Sequence, residues 1–374
     1  MNQVAALAAP AAAIRPEDLR IAFFSDAQPE RNGTGAYYHD LLGHLAPRVA
    51  EARVVQPGGD EDWQRISLPL PGDATQRLAL PRAWHLRREM AALRPHVVVS
   101  VTPGPYGLLG AWLARRQGCG LLSAFHTHFE GLADLYWGPV KRRLVVGALS
   151  GANRHLFRRS SSVLVNNRTL AGVVRDLGAP AVEVMGTPLA RDFLASPVAP
   201  PPAPLRVCFA GRLAAEKNIE AVLEAARELP SIPFVIGGDG PLRPRVEEAA
   251  AHLGNLEYRG WLDRDGLRGL LDESSLLVLP SHQETFGSVA LEAMARGRPA
   301  LVAASAGIRD WPGLAPGLFT LHPGEPLADA IQRLQRRPAG TLEAVAGCAR
   351  RAARRLNDET LEQWLTVLLR HARA

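Results

Sequence analysis

Short runs of apolar residues, separated by segments long enough to be helices, recur along the chain and limit the folds that it can adopt. In the first half they lie at residues 20–24, 97–101, 121–125, 162–165 and 182–185. Runs of this length are typical of strands buried on both faces, and strands that alternate with helices form βαβ units around a parallel sheet. The pattern therefore predicts an α/β protein.

A proline-rich segment at residues 196–204 interrupts this alternation near the middle of the chain. Because proline fixes its own backbone and has no N–H to donate, the segment cannot be a helix interior or a central strand. The alternation then resumes, with predicted strands at residues 205–210, 232–236, 276–279 and 300–303. We therefore predict an extended linker between two Rossmann-like domains whose parallel sheets face a central cleft.

These features divide the chain into five predicted regions. They are a flexible N-terminal tail at residues 1–16, an N-terminal domain at 17–195, the linker at 196–204, a C-terminal domain at 205–356 and a final helix at 357–374. The final helix has an apolar stripe that includes Trp364 and Leu368, and it follows a predicted break at residues 357–358. The stripe predicts packing against another element without indicating which one.

The composition fits a globular enzyme, because 47% of the 374 residues are hydrophobic and 21% are charged. Cys119, Cys208 and Cys348 lie far apart in the sequence, which indicates neither a disulfide framework nor a zinc site. No cationic leader and no run of about twenty apolar residues is present. We therefore expect a cytoplasmic protein that does not span a membrane.

The basic residues are unevenly placed, although the formal net charge is only +6. Clusters lie at residues 115–116, 141–143 and 158–159, all in the N-terminal half. No signature of a nucleic-acid-binding module accompanies them, so we predict no nucleic-acid partner. Peripheral contact with an anionic membrane and an ordinary solvated surface both explain the clusters.

Two glutamates flank a predicted helix start in the C-terminal half. Glu284 lies in the loop after the apolar run 276–279, and Glu292 lies one turn inside a helix that begins near Ser288 and ends at Gly297. A helix N-terminus at the end of a parallel strand offers unpaired N–H groups and a positive dipole, which suit nucleotide phosphates. Glu292 would then accept hydrogen bonds from ribose hydroxyls.

Two cations follow another predicted strand of the same domain. The strand ends at Gly211, Arg212 and Lys217 come directly after it, and a helix begins near Ile219. Both side chains should therefore lie at the edge of the cleft. Fixed cations there would stabilise the charge that develops on a diphosphate leaving group, as a metal ion would.

Two glycine-rich turns end strands and would let the backbone approach a ligand closely. One contains Gly238 in the segment 236–242, and the other contains Gly33 and Gly35 in the segment 31–35. Glycine-rich turns often have only a structural role and bind no ligand. The segment 236–242 also lacks the spacing of the dinucleotide fingerprint.

Histidines follow the predicted strand at residues 121–125. His126 and His128 form a His-x-His pair, with Glu130 and Asp134 shortly after. Such a pair would suit a metal, but no third ligand of suitable spacing accompanies it, so we predict no metal site. A structural role for His126 in the core remains an alternative.

The segment 281–297 resembles the donor motif of the family-4 (group 1) retaining glycosyltransferases. That motif contains Pro-Ser, a first Glu, Phe-Gly, a second Glu after seven intervening residues, Ala-Met and a late Gly, all in this order. The family's Gly-Arg-Leu and Glu-Lys-Asn occur at residues 211–218, and its Gly-Asp-Gly-Pro occurs at 238–241. The resemblance implies the GT-B fold. It also implies metal-independent transfer of a hexose from a UDP- or GDP-sugar to a membrane-lipid or glycan acceptor.

The resemblance also implies roles for individual residues. Arg212 and Lys217 would bind the diphosphate, Glu284 would contact the transferred sugar and Glu292 would hold the ribose. Further donor contacts would come from Gly33, Gly35, Gly211, Gly238, Trp261, Leu262, Thr285, Phe286, Gly287 and Ser288. His126 is the candidate that orients the donor sugar, and His128, Glu130 and Asp134 are candidates for the acceptor side.

The chain departs from the family pattern at residues 166–167, which are both Asn, and at residues 186–191, where Gly-Val-Asp is common among relatives. These departures leave the acceptor open. Two other interpretations are a nucleotide-sugar epimerase of the same architecture and a non-catalytic nucleotide-sugar-binding subunit. The spacing of Glu284 and Glu292 fits the first poorly, and the presence of both Arg212 and Lys217 argues against the second.

Overall fold

The computed structural model describes residues 14–27, 33–57, 64–70, 73–126, 138–195, 198–338 and 340–373. These residues form two six-stranded sheets, one on each side of the proline-rich segment, together with a separate two-stranded hairpin. The predicted class of two Rossmann-like α/β domains is confirmed.

The N-terminal domain comprises the following elements. The strands are β1 (Arg20–Phe24), β2 (Glu51–Val55), β3 (Gln64–Leu70), β4 (Asp73–Pro81), β5 (Val97–Ser100), β6 (Gly120–Phe125), β7 (Ser162–Val165) and β8 (Val182–Val184). The helices are α1 (Gly33–Leu45), α2 (Ala83–Leu93), α3 (Pro105–Gln117), α4 (Pro139–Phe157), α5 (Leu170–Asp176) and α6 (Arg191–Leu194).

The main sheet of this domain has the order β2-β1-β5-β6-β7-β8, and all neighbouring strands are parallel. The chain therefore builds outward in one direction from β1 and in the other direction from β5. Apolar side chains of α2 to α5 pack on one face of the sheet, and those of α1 pack on the other. The strands β3 and β4 form an antiparallel hairpin before α2.

The C-terminal domain repeats this plan. Its strands are β9 (Val207–Ala210), β10 (Phe234–Gly237), β11 (Leu256–Tyr258), β12 (Leu276–Leu279), β13 (Ala300–Ala303) and β14 (Leu318–Leu321). Its helices are α7 (Ile219–Glu228), α8 (Arg243–His252), α9 (Arg264–Asp272), α10 (Ser288–Ala295) and α11 (Leu327–Gln335), and α12 (Thr341–His371) follows them. All neighbouring strands are parallel, in the order β11-β10-β9-β12-β13-β14. Successive strands are added on one side of β9 up to β11 and on its other side from β12, so the strand order reverses between β9 and β12.

The apolar runs predicted the edge strand β8 but not the other three edge strands, nor the hairpin strands β3 and β4. The strands β2, β11 and β14 lie at the edges of the two sheets. Several of their residues are only partly buried, as in β2, where four of the five residues are intermediate. Such strands lack the continuous apolar run that indicates a strand buried on both faces.

The linker is fastened to the C-terminal domain over its described residues, 198–204. The carbonyl of Ala199 accepts a hydrogen bond from Arg298 Nη1 at 2.9 Å, and that of Pro202 accepts one from Ser275 Oγ at 2.7 Å. Residues 1–13 of the predicted tail and residues 196–197 of the linker lie outside the described residues. Of the helices that are described, none combines the length and the apolarity needed to cross a bilayer.

The final helix starts earlier than the sequence predicted. Helix α12 runs from Thr341 to His371 without the predicted break at residues 357–358. Asn357 is buried inside it, and its side-chain oxygen accepts a hydrogen bond from the backbone N–H of Leu189 at 2.9 Å. The predicted start at residue 357 was therefore wrong, because a polar residue that suggests a helix end is satisfied here by a contact with another segment.

Helix α12 connects the cores of the two domains. Its first half contributes Ala349 and Ala353 to the C-terminal core, and its second half contributes Trp364 to the N-terminal core. Trp364 is fully buried, and its indole N–H donates to the Tyr37 hydroxyl at 2.9 Å. That hydroxyl in turn donates to the carbonyl of Gly186 at 2.7 Å.

We expect Trp364→Ala to lower the free energy of unfolding by about 3–5 kcal/mol, because it leaves a large cavity and removes a buried hydrogen bond. Thr366→Ala, at an exposed position of the same helix, should change it by less than about 0.5 kcal/mol. Urea denaturation of both variants measures these changes. Equal effects of the two substitutions would contradict the packing of α12 on the N-terminal domain.

Candidate active site

The loop between β12 and α10 carries the first predicted carboxylate, Glu284. Gly287 ends this loop with φ of 104°, a conformation that side chains rarely adopt, and a Cβ there would lie 3.0 Å from the side chain of Leu279. Helix α10 then begins at Ser288, and no side chain caps its first turn. Its N-terminal amides are therefore available to a phosphate group.

Lys217 and Glu284 contact each other, although 67 residues separate them in the sequence. Lys217 Nζ lies 2.6 Å from Glu284 Oε2, and both side chains are largely shielded from solvent. Arg212 precedes Lys217 in the loop after β9 and forms an ion pair with the buried Glu216 at 3.2 Å. The backbone carbonyl of Glu216 also accepts a hydrogen bond from the N–H of His282. The loops after β9 and β12 thus form one unit.

Glu292 lies inside α10, one turn and a half from the loop, and faces the other domain. The pKa of its carboxyl is raised to about 7, chiefly by burial and also by the Asp40 carboxylate, while the Arg264 guanidinium opposes the rise. Asp40 belongs to α1 of the N-terminal domain, and Arg264 lies 2.5 Å from it across the cleft. Arg264 therefore pairs with Asp40 of the other domain and also acts on the pKa of Glu292.

Glycines line the carboxyl ends of neighbouring strands beside this unit. Gly211 and Gly238 have φ of 151° and 140°, and a Cβ on Gly238 would lie 1.8 Å from the carbonyl oxygen of Gly211. The N–H of Gly238 donates to the carbonyl of Gly260 at 2.7 Å. Trp261 follows with 51% of its surface exposed, and Leu262 packs against Gly237. Glycine is therefore required at position 238 because the two turns pack directly on each other.

The N-terminal domain places His126 directly after β6. Its Nε2 lies 2.9 Å from the hydroxyl of Tyr38, and its ring packs against Tyr37 with centroids 5.0 Å apart. Burial lowers the pKa of His126 to about 4, so the ring is neutral near pH 7. Gly33 and Gly35 of the same domain lie in the first turn of α1, so the prediction that they form a turn ahead of the helix was wrong.

The remaining predicted site residues divide into two groups. Thr285 and Phe286 belong to the loop that contains Glu284, and Phe286 is buried against Trp311. His128, Glu130 and Asp134 lie outside the described residues. In the parts of the chain that are described, no group of three His, Cys, Asp or Glu side chains could hold a metal ion.

Comparisons with known proteins decide the family. Residues 191–336 match the family model described as "Glycosyl transferases group 1", and residues 31–189 match that of "Glycosyltransferase Family 4". A 2-deoxystreptamine N-acetyl-D-glucosaminyltransferase from Streptomyces fradiae is 30% identical over 302 residues, which cover 71% of this chain and 70% of that protein. This chain belongs to the group 1 glycosyltransferases.

A second relative is more similar over a shorter stretch. A GDP-mannose-dependent alpha-(1-6)-phosphatidylinositol dimannoside mannosyltransferase from Mycobacterium tuberculosis (strain ATCC 25177 / H37Ra) is 31% identical over 157 residues. The match covers 41% of this chain and only 40% of that protein. The solved structure of HepE from Anabaena in complex with UDP-glucose has a TM-score of 0.67 at 16% identity, covering 94% of this chain and 99% of that one. This likeness shows the GT-B fold.

Direct contacts join the two domains of the glycosyltransferase at the loop between β12 and α10, which we call the donor loop after the contacts that the family resemblance implies for it. Asn167, which follows β7, donates from Nδ2 to the carbonyl of Thr285 at 2.6 Å. Its Oδ1 accepts from Thr169 Oγ1 and from the N–H of Leu170, which fixes the side chain. A Cβ on Gly307 would lie 2.9 Å from Asn167 Nδ2, so the absence of a side chain there leaves room for the contact.

Sequence reasoning did not assign roles to the residues that make the contacts between the domains. The pair at residues 166–167 was noticed only as a departure from the family pattern, and Trp311 Nε1 also donates to the carbonyl of Asn166 at 3.2 Å. Nothing in the sequence around Asp40, Arg264 or Tyr38 indicated a site. Within the C-terminal domain, Glu216 did carry a signal, because it belongs to the Glu-Lys-Asn segment of the family.

We expect Glu292→Gln to stabilise the protein more at pH 8 than at pH 5. The folded-state pKa of about 7 lies above the ordinary value of 4.5, so raising the pH through this window forces the folded protein to hold a buried carboxylate. The difference in unfolding free energy should grow by on the order of 2 kcal/mol. Glu224→Gln, at an exposed position, should show no such growth. A pH-independent difference for Glu292→Gln would contradict the shifted pKa.

We expect Asn167→Asp to lower kcat/KM for the donor about tenfold or more. The carboxylate keeps both acceptor contacts of Asn167 but replaces the donor to Thr285 by a repelling oxygen, which leaves a partly buried carbonyl without this partner. Steady-state kinetics with a competent donor measure the change, and Arg168→Ala at the exposed neighbouring position serves as the control. Unchanged kinetics would show that the donor loop does not depend on this contact.

Proposed function

We propose that this protein transfers a hexose from a UDP- or GDP-sugar to a lipid or glycan acceptor, with retention at the anomeric carbon and without a metal ion. The observation that carries the proposal is the contact between Lys217 and Glu284 at the carboxyl ends of β9 and β12. In open parallel sheets, ligands bind where the strand order reverses, and the order reverses between these two strands.

The charges at this point suit a diphosphate leaving group. Lys217 and Arg212 are each paired with a carboxylate, which holds the two cations in place before a ligand arrives. The uncapped N-terminus of α10 adds a positive dipole end at the same edge. Fixed charges of this kind stabilise negative charge as it develops, without the reorganisation that water would need. We infer that they take the place of a metal ion.

Retention follows because the acceptor hydroxyl attacks from the face that the leaving group occupies. In the proposed reaction the bond between the anomeric carbon and the departing phosphate oxygen breaks, the acceptor oxygen bonds to that carbon on the same face, and the phosphate oxygen accepts the proton of the acceptor hydroxyl. No carboxylate has to act as the base, so Glu284 is assigned to sugar hydroxyls instead. His126 is neutral near pH 7, with Nε2 engaged by Tyr38, so Nδ1 is assigned to the donor sugar.

The relatives leave two donors and two acceptor classes open. One named relative uses GDP-mannose and a phosphatidylinositol dimannoside, and another acts on 2-deoxystreptamine. HepE was solved with UDP-glucose. We therefore keep UDP- and GDP-sugars as donors, and lipids and glycans as acceptors. A cytoplasmic location, with access to the inner face of the membrane, fits both nucleotide donors.

The experiment is the release of nucleoside diphosphate from a panel of UDP-, GDP- and ADP-sugars, with a lipid extract or with soluble glycans. We expect one donor to be turned over only with an acceptor. Lys217→Ala and Arg212→Ala should each lower kcat about 100- to 1000-fold, because each removes charge stabilisation at the leaving group. Arg245→Ala, an exposed cation of α8, is the control and should leave kcat unchanged.

Other results would favour the two rival functions. Interconversion of one nucleotide sugar into another without any acceptor would mean an epimerase. Donor binding without turnover, and with the cellular role intact in Arg212→Ala, would mean a non-catalytic binding subunit. Full activity of both Arg212→Ala and Lys217→Ala would overturn the proposed leaving-group role.

A further inference from the structure

The N-terminal domain exposes a group of large apolar side chains. Six large hydrophobic side chains are exposed among the described residues, and five of them belong to this domain: Leu80, Trp84, Trp112, Val140 and Leu144. The exposed fraction is 65% for Trp84, 75% for Val140 and 70% for Leu144. The sixth, Trp261, lies at the donor cleft. Exposed apolar residues that cluster in this way mark an interaction surface.

These side chains share one surface because the elements that carry them are neighbours. The helices α2, α3 and α4 pack on the same face of the sheet, through Leu86, Tyr106 and Leu156 respectively. Helix α3 contacts α2, α4 and the hairpin strand β4. Their outward residues therefore form one layer, which we call the basic-aromatic face and define as the exposed side of α2, α3 and α4 with Leu80.

The charge of this layer is strongly positive. Among the side chains that the structure describes, α2, α3 and α4 contribute two, two and three arginines, which makes seven, against the single acid Glu89. Glu89 is itself paired with Arg53 at 2.8 Å. Helix α7 of the other domain contains three glutamates and one arginine, so the excess of positive charge is a property of this face.

Arginines lie over the exposed indoles of the same face. The guanidinium carbons of Arg87 and Arg88 are each 5.5 Å from the ring centroid of Trp84, and that of Arg116 is 5.0 Å from Trp112. Tryptophan prefers the boundary between lipid headgroups and acyl chains, and arginine there pairs with lipid phosphates. A nucleic acid would use the arginines but would leave Val140 and Leu144 without apolar partners, whereas the interface of an anionic bilayer suits both kinds of side chain.

The basic-aromatic face borders the cleft. Helix α4 returns the chain from the end of β6 to the start of β7, so it begins at the carboxyl edge of the sheet, where ligands bind. Val140 and Leu144 lie in the first two turns of α4, and His126 follows β6 at this edge. A headgroup held in a bilayer under this face would therefore be near the acceptor side of the cleft.

We propose that the basic-aromatic face docks on the surface of an anionic bilayer and that the acceptor is a lipid of that bilayer. The arginines bind the phosphates of the headgroups, and Trp84, Trp112, Val140 and Leu144 enter the interface between headgroups and acyl chains. Docking itself does not depend on the proposed transfer reaction. Only the choice of a lipid acceptor rests on that function.

The first test is cosedimentation of the full chain, without donor, with vesicles of phosphatidylcholine alone or mixed with phosphatidylglycerol. We expect binding to the mixed vesicles that weakens as the salt concentration rises. Arg87→Glu/Arg116→Glu should lower the partition coefficient by at least about tenfold, since each charge near such a surface contributes about fivefold. Trp84→Ala/Trp112→Ala should also lower it about tenfold.

A matched control comes from the other domain. Arg227 lies on α7, and Arg336 directly follows the last residue of α11. These two helices contact each other, and both arginine side chains are exposed. Arg227→Glu/Arg336→Glu removes the same charge as the test variant and should leave vesicle binding close to that of the wild type. Unchanged unfolding midpoints verify that each variant is folded.

Hydrogen exchange of the unmodified protein gives a readout that needs no variant. We expect mixed vesicles to slow amide exchange in α2 and α4 and in the hairpin, and to leave α7 and α11 unchanged. The proposal is overturned if the wild type does not bind mixed vesicles at low salt, if it binds through the C-terminal domain, or if the control variant loses binding as strongly as the test variant.

The acceptor is tested separately by donor turnover. We expect nucleoside diphosphate release to require a lipid extract incorporated in vesicles, and to fall in parallel with binding in Arg87→Glu/Arg116→Glu. Equal turnover with soluble glycans in the absence of vesicles would overturn the lipid acceptor, even if docking is observed. Docking without any turnover, on the other hand, would count against the proposed transferase and not against the membrane surface.

Discussion

The ion pair between Lys217 and Glu284 is the contact on which the proposed site depends. It joins the loops that follow the neighbouring parallel strands β9 and β12, between which the strand order of the C-terminal sheet reverses. Buried pairs of this kind are costly unless both partners are held in good geometry. Here the two strands, the turn at Gly287 and the contact of His282 with Glu216 fix the loops in place. The arrangement therefore holds a cation at the cleft before any ligand binds.

The contacts between the domains connect this site to the rest of the molecule. Asn167 reaches the donor loop from one side, and Arg264 reaches α1 from the other. Helix α12 then carries Trp364 into the N-terminal core, where Tyr37 contacts both Trp364 and His126. His126, the residue proposed to orient the sugar, therefore packs against Tyr37, which is held by α12, and the first half of α12 belongs to the core of the other domain. A change in the relative position of the domains would therefore move both the donor loop and the surroundings of His126.

Much of the fold was predictable because central parallel strands are buried on both faces. Strands β1, β7, β12 and β13 have the bounds that their apolar runs predict. Three of the four edge strands, β2, β11 and β14, escaped prediction because their half-buried residues give no continuous apolar run. The break predicted at residues 357–358 failed because Asn357 finds its partner, Leu189, far away in sequence. The same limit applies to the site. The family motifs placed Lys217 and Glu284 in one cleft but did not predict that they pair, and the contact between Asn167 and Thr285 depends on how two domains meet.

The central claim is that fixed side-chain cations, and not a metal ion, stabilise the leaving diphosphate. The most direct measurement is the steady-state rate of transfer from the competent donor before and after treatment with a chelator, with Mg²⁺ or Mn²⁺ then added back. The account predicts the same rate in all three conditions, since Arg212 and Lys217 are held by their carboxylate partners in the protein itself. A rate that collapses on chelation and returns with the metal would contradict it.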